Sequence, residues 1–147
     1  MQKEIELLVI TEEEDKIPLY ATDEAAGADL RADIEEPLEL LSGESIMVPT
    51  GLKFEIPVGY EVQVRPRSGL ALKHGITVLN APGTIDSDYR GPINVILINH
   101  GKKTFVIEHG MRIAQMVVAP VVKARFVLVD SLQTTERGSS GFGHTGL

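Results

Sequence analysis

The stretch Leu52-Lys53-Phe54-Glu55-Ile56-Pro57-Val58-Gly59-Tyr60-Glu61-Val62-Gln63-Val64 decides the fold class. On each side of Pro57-Val58-Gly59, apolar and polar residues alternate, so every second side chain falls on one face of an extended chain. That is the pattern of two half-buried strands separated by a turn. Working outward, short apolar bursts recur at Ile5-Glu6-Leu7-Leu8-Val9 and Ser45-Ile46-Met47-Val48, and again over 93–98, 104–107, 112–118 and 121–129. Pro49-Thr50-Gly51, Asn99-His100-Gly101 and His109-Gly110 are turn signals between them. Many short strands at this spacing predict an all-β sandwich or barrel. Only Gly69-Leu70-Ala71-Leu72-Lys73-His74 reads as helix, two turns at most, with Ser68 as its N-cap and Gly75 at its stop.

The chain has 147 residues, 43% of them hydrophobic, which suits one domain with a core of its own. It has no cysteine, so disulfide scaffolds, zinc ribbons and thiol nucleophiles are excluded. Fourteen basic residues against 21 acidic ones give −7, a poor footprint for nucleic acid. No apolar run approaches the roughly 20 residues of a membrane span. The opening Met1-Gln2-Lys3-Glu4-Ile5-Glu6 has neither a secretory nor a transit pattern. The expectation is a soluble intracellular protein, cytoplasmic or, in a eukaryote or virus, nuclear, with no nucleic-acid or membrane partner. Residues 1–130 read as the folded body. Residues 131–147, rich in Thr, Ser and Gly, read as a flexible arm.

Chemistry concentrates in five places. In the arm, Gly138-Ser139-Ser140-Gly141-Phe142-Gly143-His144-Thr145 has the glycine frame of a phosphate loop, with His144 where a lysine belongs. No helix can follow it, so an arm that wraps phosphates held elsewhere fits better than an autonomous ATPase. Arg137 adds a positive charge, and Phe142 is a flat face for a base. The ordinary alternative is a disordered tail. Arg65-Pro66-Arg67-Ser68-Gly69-Leu70 sets two arginines, a hydroxyl and a glycine where a strand meets a helix start, suited to an anion or simply to a capped helix. Asn80-Ala81-Pro82-Gly83-Thr84-Ile85-Asp86-Ser87-Asp88-Tyr89-Arg90-Gly91 is the densest constellation. Asn80 can both donate and accept at a nucleobase edge, Asp86 and Asp88 are candidates for a general base or for Mg²⁺, and Tyr89 offers a face to a sugar. A long polar turn would use many of the same residues. Ala26-Gly27-Ala28-Asp29-Leu30 and Arg112-Ile113-Ala114-Gln115 each set a polar side chain in an apolar run, which in many proteins means only a satisfied core group.

These five segments, in this order from Ala26 to Gly146, resemble the five motifs of the trimeric deoxyuridine triphosphate nucleotidohydrolase (dUTPase) family. The resemblance implies a jelly-roll-like β-barrel that forms a homotrimer, with active sites shared between subunits and the arm closing over a neighbour. It implies hydrolysis of dUTP to dUMP and pyrophosphate with Mg²⁺ as cofactor, lowering dUTP and supplying dUMP for dTTP synthesis. By the same resemblance, Asp86 activates water, Asn80 reads uracil and Tyr89 stacks under the deoxyribose. Arg67, Ser68 and Gly69 hold phosphates, Thr84 and Ile85 flank Asp86, and Asn94 makes a further nucleotide contact. Gln115 touches the phosphate chain, Asp29 organises the metal's water shell and Arg112 is structural. Arg137 clamps the terminal phosphate, Phe142 stacks on uracil and Gly143 approaches closely. Ser140 and His144 depart from the family pattern, which commonly has Gly and Ser there. Two alternatives share the fold: a dCTP deaminase or bifunctional relative, and a catalytically silent nucleotide sensor. A deaminase needs a carboxylate at the base, and Pro92-Ile93-Asn94-Val95-Ile96-Leu97 contains none.

Overall fold

Alternation in sequence becomes alternation in burial. A computed structural model describes residues 3–146. In it Val48, Thr50, Leu52 and Phe54 of β4 (Ser45–Glu55) turn inward while their neighbours face out. The remaining strands are β1 (Leu8–Ile10), β2 (Ala28–Arg31), β3 (Leu38–Leu40), β5 (Tyr60–Arg65), β6 (Ile76–Val78), β7 (Gly83–Ile85), β8 (Pro92–Asn99), β9 (Phe105–Ile107) and β10 (Arg112–Pro120). One seven-residue helix, α1 (Ser68–His74), joins β5 to β6, and a 3-10 turn spans Glu14–Lys16.

The strands form two four-stranded sheets, ordered β1-β4-β8-β6 and β2-β10-β5-β7, plus a β3-β9 ribbon. Every paired ladder is antiparallel. Both sheets contribute to one core: Val48, Leu52, Val95 and Leu97 come from the first, Leu30, Val62, Ile113 and Ala114 from the second. The all-β expectation holds, but the ladders stay separate among the described residues and do not close into a barrel. β4 and β5 lie in different sheets, so Pro57-Val58-Gly59 carries the chain from one layer to the other.

Four local expectations are corrected. The turn read at Pro49-Thr50-Gly51 does not end a strand; β4 continues through a register shift between Pro49 and Leu52. That bulge absorbs the proline and leaves Gly51 at φ 74, while the buried Thr50 hydroxyl donates to the Ile93 carbonyl at 2.6 Å. Pairing of the first strand begins only at Leu8, opposite Glu55. Ser68 is the first helical residue rather than the N-cap; Arg67 takes that place with no side-chain cap. Gly75 does stop the helix, at φ 69.

The fourth correction concerns 121–129, read above as a strand. After Val121 donates to the Gly59 carbonyl at 2.9 Å, the segment has no ladder among the described residues. Val122, Phe126, Leu128 and Leu132 are nearly fully exposed. The body meanwhile presents a groove of about 910 Å³ of mixed polarity, in which Ile5, Leu7, Val9, Phe54, Met116 and Val118 lie beside Lys3, Glu4, Thr22 and Asp23. Among the described residues, no helix is long and apolar enough to cross a membrane.

Candidate active site

The outer face of the β2-β10-β5-β7 sheet carries polar residues in register. Asp29, Gln115 and Arg65 stand directly opposite one another across β2, β10 and β5, and Gln63 faces Thr84 in the next outward row. Their strand neighbours Ala28, Met116 and Val64 point into the core. Simple alternation would send Arg112 to the opposite face from Gln115, since they are three residues apart. A bulge between Arg112 and Ala114 resets the parity by burying Ile113 and Ala114 in succession. Arg112 therefore emerges beside Asp29, on the same face as Gln115.

Asp29 sits between two guanidiniums. Its Oδ1 is 3.5 Å from Arg67 Nε and its Oδ2 is 3.6 Å from Arg112 Nη1. Arg67 Nη1 also donates to the Arg112 carbonyl at 3.3 Å, and Gln115 Nε2 donates to the Pro66 carbonyl at 2.9 Å. These residues, with Gly27, Ser68 and Gly69, line a cavity of about 350 Å³. Two arginines against one carboxylate leave a net positive pocket, suited to phosphate oxygens. With only seven residues in α1, the attraction rests on the arginines rather than on a helix dipole.

A second cluster surrounds β7, the free edge of the same sheet. Gly83 lets Asn80 lie close: a Cβ there would be 3.3 Å from both Asn80 Nδ2 and Val64 Cβ. Thr84 faces outward, whereas the Ile85 side chain belongs to the core and leaves only its backbone on the outer side. Asp86 follows at the strand's end, exposed, and its side chain makes no hydrogen bond or ion pair among the described residues. Its carbonyl accepts the Tyr89 N–H at 3.2 Å. Tyr89 folds back over Gly91 and donates its hydroxyl to the Pro92 carbonyl at 2.9 Å. Arg90 ties the turn together, donating to the Ser87 carbonyl at 2.7 Å and reaching Glu55 Oε1 at 3.4 Å. An ionised carboxylate with no partner keeps all its acceptor capacity for a water molecule.

The two clusters do not converge within one chain. At about 3.3 Å per residue and about 4.8 Å per strand, Asp86 lies roughly 13 Å along the strands and roughly 10 Å across them from Gln115. Arg137, Phe142 and Gly143 meet neither cluster. The arm's hydrogen bonds are local, such as Arg137 Nε to the Ser140 carbonyl at 2.8 Å and Gly138 N–H to Thr135 Oγ1 at 3.1 Å. Phe142 is fully exposed at φ 50, a left-handed backbone uncommon for a bulky residue. Asn94 is on the outer face of the other sheet, opposite Pro49 of β4 and remote from the Asp29 row.

For Mg²⁺ the donor set is sparse. No group of three His, Asp or Glu side chains converges among the described residues, and both oxygens of Asp29 already face arginines. Such a set fits a cation held by phosphate oxygens and water, with a carboxylate beyond the water, and does not fit an all-protein cage.

The family model for dUTPase matches residues 13–146. The deoxyuridine 5'-triphosphate nucleotidohydrolase of Chlamydia pneumoniae is 69% identical over 132 residues, covering 89% of this chain and 91% of that protein. The protein of the same name from Chlamydia felis is 65% identical over 133 residues, covering 88% and 90%. Among solved structures, a variant of the Staphylococcus bacteriophage 80alpha dUTPase with dUpNHpp matches at a TM-score of 0.86 and 23% identity, covering 97% of this chain and 99% of that one. A phage phi11 dUTPase variant described with a structural Mg(II) ion matches at 0.77 and 21%, covering 86% and 98%. At that identity the two structures speak for the fold alone.

Proposed function

The chain belongs to the dUTPase family, and from that premise we propose how its own residues hydrolyse dUTP to dUMP and pyrophosphate. Arg67, Ser68, Gly69 and Gln115 hold the phosphate chain in the pocket around Asp29, with Arg112 adding charge. Asn80 and the backbone of Thr84 and Ile85 take the uracil edge, since an amide and a peptide offer both a donor and an acceptor. Tyr89 packs under the deoxyribose and leaves no room for a 2′-hydroxyl. Asp86 orients a water and removes its proton as it attacks the α-phosphorus in line, and pyrophosphate departs. In such a step the protein mainly positions groups and stabilises charge. Arg137 reaches the terminal phosphate, Phe142 covers uracil, Gly143 lets the arm's backbone approach and Asn94 makes an accessory contact.

Mg²⁺ would supply neutralisation of the phosphate oxygens. Asp29 would accept a hydrogen bond from one of its waters while keeping Arg67 and Arg112 in place.

The sites are shared within a homotrimer. The observation that carries this reading is the separation of Asp86 from the Arg67 and Gln115 pocket, too wide for one chain to bring both to one phosphorus. The unpaired apolar segment after Pro120 supports it, because a second copy's groove would shelter the side chains that solvent now surrounds. The arm, 131–147, then closes over a neighbour's nucleotide; Leu147 itself lies outside the described residues.

Pyrophosphate release from dUTP, dTTP, dCTP and UTP, with and without Mg²⁺, tests the activity, with light scattering for the assembly. Mg²⁺-dependent release confined to dUTP, from a particle of three chains, is expected. Ammonia from dCTP would mark a deaminase instead, and nucleotide binding without release would mark a sensor.

A further inference from the structure

We infer that Gly27 is a positioning residue for the phosphate pocket: its missing side chain is the bed on which the Gln115 amide lies while it holds the Pro66 carbonyl. A Cβ at position 27 would fall 2.0 Å from Gln115 Oε1, 2.9 Å from its Cδ and 3.3 Å from its Cβ. Real Cβ atoms do not approach so closely, so any other residue there pushes the amide away. Gly27 carries no left-handed φ, so nothing in its own backbone demands glycine. The space it leaves is the reason.

What the amide does in that space is specific. A carbonyl only accepts, so Nε2 must be the atom facing Pro66, and it sits at 2.9 Å. Pro66 shares its peptide plane with the N–H of Arg67, and Arg67 is the N-cap residue of α1. Pinning that plane sets where Arg67 leaves the chain, and Arg67 is the guanidinium 3.5 Å from Asp29. Gly27, Gln115, Pro66 and Arg67 thus form a mechanical series from β2's approach across β10 to the arginine. The amide retains one N–H beyond the bond to Pro66, so Gln115 can hold the loop and touch phosphate together. Because Gln115 is flexible beyond its Cβ, alanine at 27 displaces the amide without unfolding the sheet.

This inference rests on the phosphate-binding role proposed above. The test is a double-mutant cycle with Gly27→Ala, Gln115→Ala and the pair, read by calorimetric affinity for dUpNHpp and by kcat and KM for dUTP. Gly27→Ala alone is expected to weaken dUpNHpp about tenfold, the scale of one lost hydrogen bond and the slack it leaves. In the Gln115→Ala background the same change should cost less than about twofold, because the amide it displaces is already gone. Equal losses in both backgrounds, or full affinity in Gly27→Ala, would overturn the inference. If Gly27→Ala does not fold, adding Gln115→Ala should restore folding, and a double variant that still fails to fold would equally overturn it. Failure of the functional reading looks different: the wild-type chain itself would release no pyrophosphate.

Discussion

Asp29 and Gln115 are paired across the β2-β10 ladder and share one outward row, so the carboxylate that gathers Arg67 and Arg112 lies beside the amide that fixes Pro66. A charged clamp and a neutral clamp act on the same short loop from adjacent strands. Removing the charge of the half-buried Asp29 should therefore disturb the pocket. With Asp29→Asn the two guanidiniums face each other without a counter-charge, and kcat/KM for dUTP should fall about tenfold, the effect shrinking as salt screens the repulsion. Kinetics at low and high ionic strength check both the loss and its trend.

Asp86→Asn keeps the shape of the turn but cannot accept a proton. Turnover should drop at least ~100-fold, the low end for a general base, while dUpNHpp affinity stays within about threefold. Single-turnover kinetics with calorimetry separate the two. Near-normal turnover would take Asp86 out of its role.

Tyr89 lies on Gly91 as Gln115 lies on Gly27; a Cβ at 91 would come within 2.6 Å of the Tyr89 ring carbon bearing the hydroxyl. Gly91→Ala should lift the ring, break its bond to the Pro92 carbonyl and relax selection against the 2′-hydroxyl. The ratio of kcat/KM for dUTP over UTP is expected to fall roughly tenfold, the worth of about one well-placed contact. An unchanged ratio would leave Tyr89 without a part in sugar selection.

Lys16 lies 3.0 Å from Asp33, and that hydrogen bond, aided by the nearby charges of Asp33 and Glu13, raises its pKa above 10.5 against a smaller opposing desolvation. A raised folded pKa means the protonated lysine stabilises the fold at all pH values below 10.5, and the contribution disappears as pH climbs through the folded value. The gap in urea midpoint between wild type and Lys16→Met should hold steady from neutral pH and close only in strong alkali. A gap that closes well below pH 10.5 would contradict this.

The alternating runs at 52–56 and 60–64 revealed their strands because half-buried ladders impose period two on side-chain chemistry. That period breaks at the bulge in β10, where Ile113 and Ala114 are buried in succession, so alternation alone would misplace Arg112. Pro49 and Gly51 read as a turn by residue type but sit inside β4, whose alternation of buried and exposed residues runs on through them. Strands β2, β3, β6 and β7, three or four residues each, are too short to show a period at all. The site's members were legible as types, acids, amides and arginines in glycine-rich company. Gly27 was not, since a space that another side chain fills leaves no mark in its own neighbours. The segment 121–129 has strand chemistry without a ladder partner among the described residues, which no single sequence displays.

Complementation tests the shared site most directly. Asp86→Asn lacks the base but keeps its arm, and a chain truncated after Glu136 lacks the arm but keeps its base. Each alone should be folded and nearly inactive. Co-expressed and randomly assembled, they should regain about a quarter of wild-type activity, because some sites then draw the base from one copy and the arm from another. A mixture as inactive as its parts would show that base and arm must come from the same chain, and the account would be wrong.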